Sequence, residues 1–301
     1  MLEIRDELKF LEDNRWYSDK IKLHLDKDYL YYDTKIIKTP KISSHTLVDL
    51  LGFNSYSSPG KTLMNMFGLL AKTKIDPYQE VKGGIAEVFA KRYLQKHYKE
   101  AIDVETFTVS QFKETGMNQF PEAAPFSGVL DLMLHFRDTT RMTVEVKSKE
   151  MKDYDKIAKM NLFPKEQIVQ GANQAILAKT ERYLMLWVFL TPALSKLLKA
   201  LTKMTPIKKK IIDSTGNERI VEAEDNLWIW GYDFERAAEE LEITEEHFLF
   251  YAKEFEADPR MIGAYREKAL RLYNDFYINR RIERKLFNKD ELSELKMMFL
   301  K

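Results

Sequence analysis

Gly128-Val-Leu-Asp-Leu-Met-Leu-His-Phe136 and Met142-Thr-Val-Glu-Val-Lys-Ser-Lys149 are separated by the polar run Arg137-Asp-Thr-Thr-Arg141. Both stretches alternate in the way an extended strand requires, with successive side chains pointing to opposite faces. Leu130, Leu132, Leu134 and Phe136 share one parity in the first stretch, and Val129, Asp131, Met133 and His135 share the other. In the second, Met142, Val144 and Val146 take the apolar parity, which leaves Thr143, Glu145 and Lys147 opposite. A hairpin that turns about Asp138 places residue 131 across from residue 145, about 5 Å away by ordinary cross-strand geometry. Two carboxylates that close repel each other unless one holds a proton or a hard cation with oxygen ligands sits between them. Lys147 follows two residues on, where its ammonium could orient or help deprotonate an attacking water and stabilise charge on a phosphate. The competing reading is a surface ion-pair ladder on a half-buried sheet, which explains the alternation and leaves the two acids costly.

The Glu-x-Lys triplet alone carries little information, because it also occurs at Glu7, Glu80, Glu150, Glu283 and Glu294. Only Glu145 lies in a clear alternating strand with an acid placed across a hairpin. Working outward, residues 78 to 98 predict a helix of some five turns, with Ile85, Val88, Phe89 and the Ala86, Ala90 and Leu94 side as its apolar band. Gly83-Gly84 near its start would let another backbone approach closely. Glu87 falls at the margin of the apolar surface, in line with Gly83, Ala90 and Leu94; its ordinary alternative is a surface glutamate paired with Lys91 one turn on. Residues 101 to 109 have strand character, PKEQIVQGANQAILAKT reads as a helix, and YLMLWVFL as a buried strand. The coarse order is helix, strand, hairpin, helix, strand.

This pattern resembles the PD-(D/E)xK nuclease superfamily, and especially its branch with the lambda exonuclease and the RecB nuclease domain. The resemblance covers roughly residues 78 to 190 and rests on Gly128-Val-Leu-Asp131, Glu145-Val-Lys147, a following helix with Gln167 and Gln170, and Glu87 upstream. The literal Pro-Asp is replaced by Gly-x-x-Asp, a familiar form in this branch. The resemblance implies an α/β, restriction-endonuclease-like mixed central sheet flanked by helices, with further helical parts at both ends. It implies that Asp131, Glu145 and, as an additional upstream acid, Glu87 ligate Mg2+, with Mn2+ as a substitute and help from the Val146 carbonyl, and that Lys147 serves the water. Gln170 is the better match to the downstream glutamine by its spacing to the next strand, with Gln167 as the alternative. The implied reaction is hydrolysis of DNA phosphodiester bonds by an exonuclease of recombination or viral DNA processing; the alternative is a catalytically weak or inactive DNA-binding or scaffold protein on the same fold. A homo-oligomer or a recombination or replication partner protein would fit such a role.

The whole chain sets outer bounds. Its 301 residues allow about two domains' worth of core. Three regions are expected: 1–77, an accessory helical part; 78–232, the nuclease core with an extension; and 233–301, a C-terminal helical part. Zero cysteines exclude a disulfide framework, a thiol nucleophile and a cysteine-held iron–sulfur cluster. The five histidines form no close ligand motif, and His135 lies about 13 Å along the strand from Asp131. Pro59-Gly60-Lys61-Thr62 invites a phosphate-loop reading, yet position 55 is serine and no clean strand leads in, so a helix cap is expected and no nucleotide cofactor. No run approaches a membrane span, and the protein is expected inside a cell, cytoplasmic or nucleoid-associated, or as a viral protein in its host.

The 48 Lys and Arg nearly cancel the 47 Asp and Glu, but the average hides a split. Residues 233 to 258 hold ten acids against two bases, and residues 260 to 289 hold nine bases against three acids. The basic stretch interleaves Tyr265, Tyr273, Phe276 and Tyr277, a pattern that fits either stacking on splayed bases or core packing. The lysines from 196 to 210 could flank a DNA channel, ahead of a hairpin turning at DSTGN. Trp228 and Trp230 share a parity that suits a stacking surface or, better, a domain contact.

Overall fold

The computed structural model describes residues 22–25, 27–33, 41–54, 56–67, 76–106, 126–203, 207–212, 218–223 and 233–293. Its centre is a mixed five-stranded sheet in the order β3-β4-β5-β6-β9. These strands are β3 (Ala101–Thr106), β4 (Leu132–Phe136), β5 (Arg141–Glu150), β6 (Arg182–Leu190) and β9 (Phe248–Glu256). Only β5 and β6 run parallel; the other pairings are antiparallel. The hairpin register pairs Leu132 with Val144 and His135 with Arg141, the alignment expected from a turn about Asp138.

One face of the sheet is covered by α3 (Pro77–His97), which starts on an Asp76 cap and Pro77 and buries Tyr78, Val81, Ile85, Ala86, Phe89, Ala90 and Leu94. These side chains pack on Leu132, Leu134, Val144, Val146, Leu184 and Leu186, with α5 (Pro192–Leu201) and α6 (Phe234–Glu240) completing the layer. The other face carries α4 (Lys165–Leu177), α1 (Ser44–Leu50), α2 (Pro59–Met66) and α7 (Pro259–Asn279), packed around Tyr183, Met185, Trp187 and Phe189. Every residue of β6 after Arg182 is buried, as a strand covered on both faces must be. The expected mixed α/β sheet flanked by helices is therefore present, in three layers.

Strands accompany the helices at both ends. β1 (Lys22–Leu25) and β2 (Tyr29–Asp33) form a small sheet with β10 (Arg281–Glu283), and β9 adds directly to the central sheet. The composition break near residue 233 is thus not a break in the sheet, because β9 pairs with β6 over its whole length. The hairpin of β7 (Ile207–Ile212) and β8 (Glu218–Ala223) is formed as expected. Trp228 and Trp230 lie outside the described residues.

Packing decides three of the readings. Gly84 meets a side chain and not a backbone: a Cβ there would stand 2.2 Å from the Phe234 ring, while one at Gly83 would meet nothing within 4 Å. Pro59 to Thr62 begin α2 beneath a Ser58 cap on the Lys61 amide, and Gly60 is pressed against Phe287, so the fragment is a helix start. Tyr273 and Phe276 are core residues at 3% and 0% exposure, and Phe67 packs on both rings. Base stacking is closed to these two. Among the described residues no helix is long and apolar enough to cross a membrane.

Candidate active site

β4 stops pairing with β5 at Leu132, whereas β5 continues to Glu150 alongside β6. Upstream of Asp131 the chain leaves the sheet and crosses toward α4 and α1. Gln174 donates to the Val129 carbonyl at 2.8 Å, and a Cβ on Gly128 would stand 2.6 Å from Leu177. The two strands therefore fork, and the edge of β5 from Val146 onward lacks a β4 partner. Asp131 sits in the crotch, where its Oδ2 accepts the Val146 amide at 2.8 Å in place of a strand carbonyl. In an extended residue the N–H and C=O point to the same side, so the Val146 carbonyl faces the same fork.

Glu145 is 1% exposed, because α4 covers the face that sequence alternation left open. That burial removes the surface-ladder reading. Lys147 Nζ makes an ion contact with Glu145 Oε1, yet neither carboxylate oxygen receives a well-directed hydrogen bond. A buried carboxylate in that condition is expensive unless something else satisfies it. Lys147 Nζ also donates to Gln170 Oε1 at 3.1 Å. Gln167 instead accepts from the buried Trp187 indole at 2.8 Å and belongs to the core. The structure thus brings Gln170 to the lysine and keeps Gln167 away.

Glu87 projects from α3 beside this group. Crowding by protein first, and the Glu145 charge second, push its carboxyl up to about 7, against a lowering pull from Lys147. Its surface is nevertheless exposed to solvent. Among the described residues it makes no ion pair, with Lys91 or otherwise. Asp131 is raised well above the usual carboxylate range by burial, then by Glu145 and Glu87, with Lys147 and the Val146 amide opposing. Lys147 is held above its ordinary value: its desolvation is outweighed by Glu145, Asp131 and Glu87 together.

A hard cation suits the donor set at the fork: the Glu145 carboxylate, whose Oε2 has no partner among the described residues, the Asp131 carboxylate and a backbone carbonyl on the same side. Among the described residues, no three acids or histidines gather closely enough to hold an ion by themselves. Glu87 therefore adds charge to the fork without closing a three-acid cage. His135 lies at the far end of β4, bound to Glu105 at 2.8 Å, outside this group.

No family model matches the sequence, and no curated protein matches it. Among solved structures the chain is similar to the crystal structure of an alkaline exonuclease (LHK-Exo) from Laribacter hongkongensis. Identity is 12%, the match covers 85% of this chain and 92% of that chain, and the TM-score is 0.44.

Proposed function

We propose that this chain is a divalent-metal-dependent deoxyribonuclease that hydrolyses phosphodiester bonds at the β4–β5 fork. The observation that carries the reading is Glu145, a fully buried carboxylate whose Oε1 is paired with Lys147 Nζ, whose Oε2 has no partner among the described residues, and beside which Asp131 stands. Asp131, Glu145 and the Val146 carbonyl would hold Mg2+ or Mn2+, with Glu87 adding negative charge from α3. The bound ion would neutralise the paired acids, polarise a phosphate oxygen and make water acidic enough to attack. Asp131 also fixes the fork through the Val146 amide. Lys147 directs its ammonium toward the attacked phosphate and its water, and Gln170 holds that ammonium in place. DNA as substrate, an exonucleolytic mode and a part in recombination or viral DNA processing rest on the resemblance of the Gly128–Asp131 and Glu145–Lys147 motifs.

The test incubates linear and circular DNA, single and double stranded, with Mg2+, Mn2+ or EDTA, beside Lys147→Ala. Metal-dependent cleavage lost in the variant is expected, and degradation confined to linear DNA would mark an exonuclease. Tight DNA binding without cleavage under any metal would favour the non-catalytic DNA-binding alternative. A folded protein that neither cuts nor binds DNA would sink both.

A further inference from the structure

Asp131 is delivered to the fork by a stretch of chain that belongs to no helix or strand. Residues 127–130 lie between the isolated bridge of Ile42 with Phe126 and the start of β4, so their backbone groups need partners other than a strand ladder. The Ser127 amide donates to the Ile42 carbonyl at 2.9 Å. Gly128 is pressed so closely that a Cβ there would stand 2.6 Å from Leu177 and 3.2 Å from the Ser44 hydroxyl. Leu130 is buried with Met133 and Ala178. In the middle of the stretch the Val129 carbonyl accepts from the Gln174 side chain at 2.8 Å, and Leu130 alone separates Val129 from Asp131.

That bond fixes the Gln174 amide one way round. A carbonyl can be met only by the NH2 end, and the other end, Oε1, is then buried without a hydrogen-bond partner among the described residues. A buried acceptor in that condition is costly, so the arrangement satisfies the backbone of Val129 and leaves the side chain itself unsatisfied. The neighbouring Asn173 uses both ends of its amide: Nδ2 donates to Ser44 Oγ and Oδ1 accepts from Arg266 Nε, each at 2.8 Å, which ties α4 to α1 and α7. Gln170 and Gln174 are four residues apart on α4 and so share a face. The first holds Lys147 and the second holds the chain that leads into Asp131. Nothing in the sequence sets Gln174 apart from the other glutamines of α4; its packing does.

We propose that Gln174 is a positioning residue for Asp131: by holding the Val129 carbonyl it keeps the Asp131 carboxylate in the fork, on the Val146 amide and beside Glu145. Its consequence for a metal ion rests on the nuclease reading, whereas its hold on Asp131 does not.

Gln174→Met keeps the length of the side chain and removes the donor. Gln167→Met, on the same helix, takes the partner from the Trp187 indole and is the control for lost core stability alone. Urea midpoints rank the two variants. The first readout needs no metal: exchange of the Val146 amide proton, followed by NMR in EDTA and referred to the amides at the centre of β6. Because Val146 donates to Asp131, its exchange in Gln174→Met should quicken about tenfold relative to β6, with no such change in Gln167→Met. The second is Mn2+ binding read by electron paramagnetic resonance, expected to weaken about tenfold in Gln174→Met and to hold in the control. If Gln174→Met does not fold, Gln174→Asn, whose amide is one methylene short, takes its place. Val146 exchange that keeps step with β6 in the variant, or that quickens equally in Gln167→Met, overturns the proposal and leaves the nuclease reading to stand on DNA cleavage by the wild type. A wild type that binds no Mn2+ and cuts no DNA, beside a Val146 amide that loses protection in Gln174→Met alone, defeats the nuclease reading and upholds the positioning of Asp131.

Discussion

Glu87→Gln tests the crowding of acids at the fork without any assumption about the reaction. The Glu87 carboxyl rises from its ordinary 4.5 to about 7 in the folded protein, so between those values the native state binds a proton that the unfolded chain has released. Stability then falls as pH rises, because it increases with pH only where the unfolded state holds more protons. The stabilisation is fully present below about pH 4.5 and is lost as the pH passes 7. Each pH unit of difference corresponds to about 1.4 kcal/mol, which would give about 3.4 kcal/mol for the full rise. Glu87 is exposed, however, and solvent screening reduces that to about 1–2 kcal/mol. Asp131, also raised, changes stability in the same direction. The assay is urea unfolding in EDTA at steps from pH 4.5 to 7.5. The wild type should lose about 1–2 kcal/mol relative to Glu87→Gln across the range, with equal m-values for the two proteins. Parallel pH profiles, or a wild type that gains on the variant as pH rises, would refute the argument that Glu87 is destabilised as an anion by its neighbours.

Other outcomes follow from single contacts. Glu145→Gln and Lys147→Ala should each lower metal-dependent DNA cleavage by about 100-fold or more, read as initial rates at saturating Mg2+. The two glutamines should separate. Gln167→Ala leaves the Trp187 indole without its partner and should cost about 1–3 kcal/mol in urea unfolding, whereas Gln170→Ala should lower cleavage with a smaller stability loss. Gly84→Ala drives a methyl into the Phe234 ring and should cost about 1–3 kcal/mol. Its neighbour Gly83→Ala meets only open space and should gain about 0.5–1 kcal/mol from helix propensity, seen as a higher urea midpoint.

The central hairpin was legible because its alternation and its turn act within twenty residues. Period and turn position together fix the register, and the register puts Asp131 opposite Glu145. α3, α4 and β6 were legible for the same reason, each being a periodic apolar pattern with a proline near its start or a continuous buried run. What the sequence did not carry was the second cover on the sheet. Glu145 reads as the polar side of a strand, and only α4 packed on that side makes it a buried acid. The aromatics of α7 were ambiguous because helical spacing of tyrosine and phenylalanine serves a core and a stacking surface equally; Phe67 and Tyr32 decided it. β9 was hidden by its own composition. LFYAKEFE carries charge because the strand lies at the sheet edge, where Lys253, Glu254 and Glu256 stay exposed.

β9 also dictates the order in which the molecule can be completed. β6 is apolar along its whole length after Arg182, and the partner that covers its outer edge begins at Phe248, 58 residues after Leu190. At ribosomal speeds of roughly 5–20 residues per second, that interval lasts about 3–12 s. For those seconds the nascent chain holds the β4–β5 hairpin already able to pair with β6 on one side and an unpaired hydrophobic edge on the other. The acidic run from 233 to 258 emerges during the same interval, and its charge discourages a second nascent chain from taking β9's place.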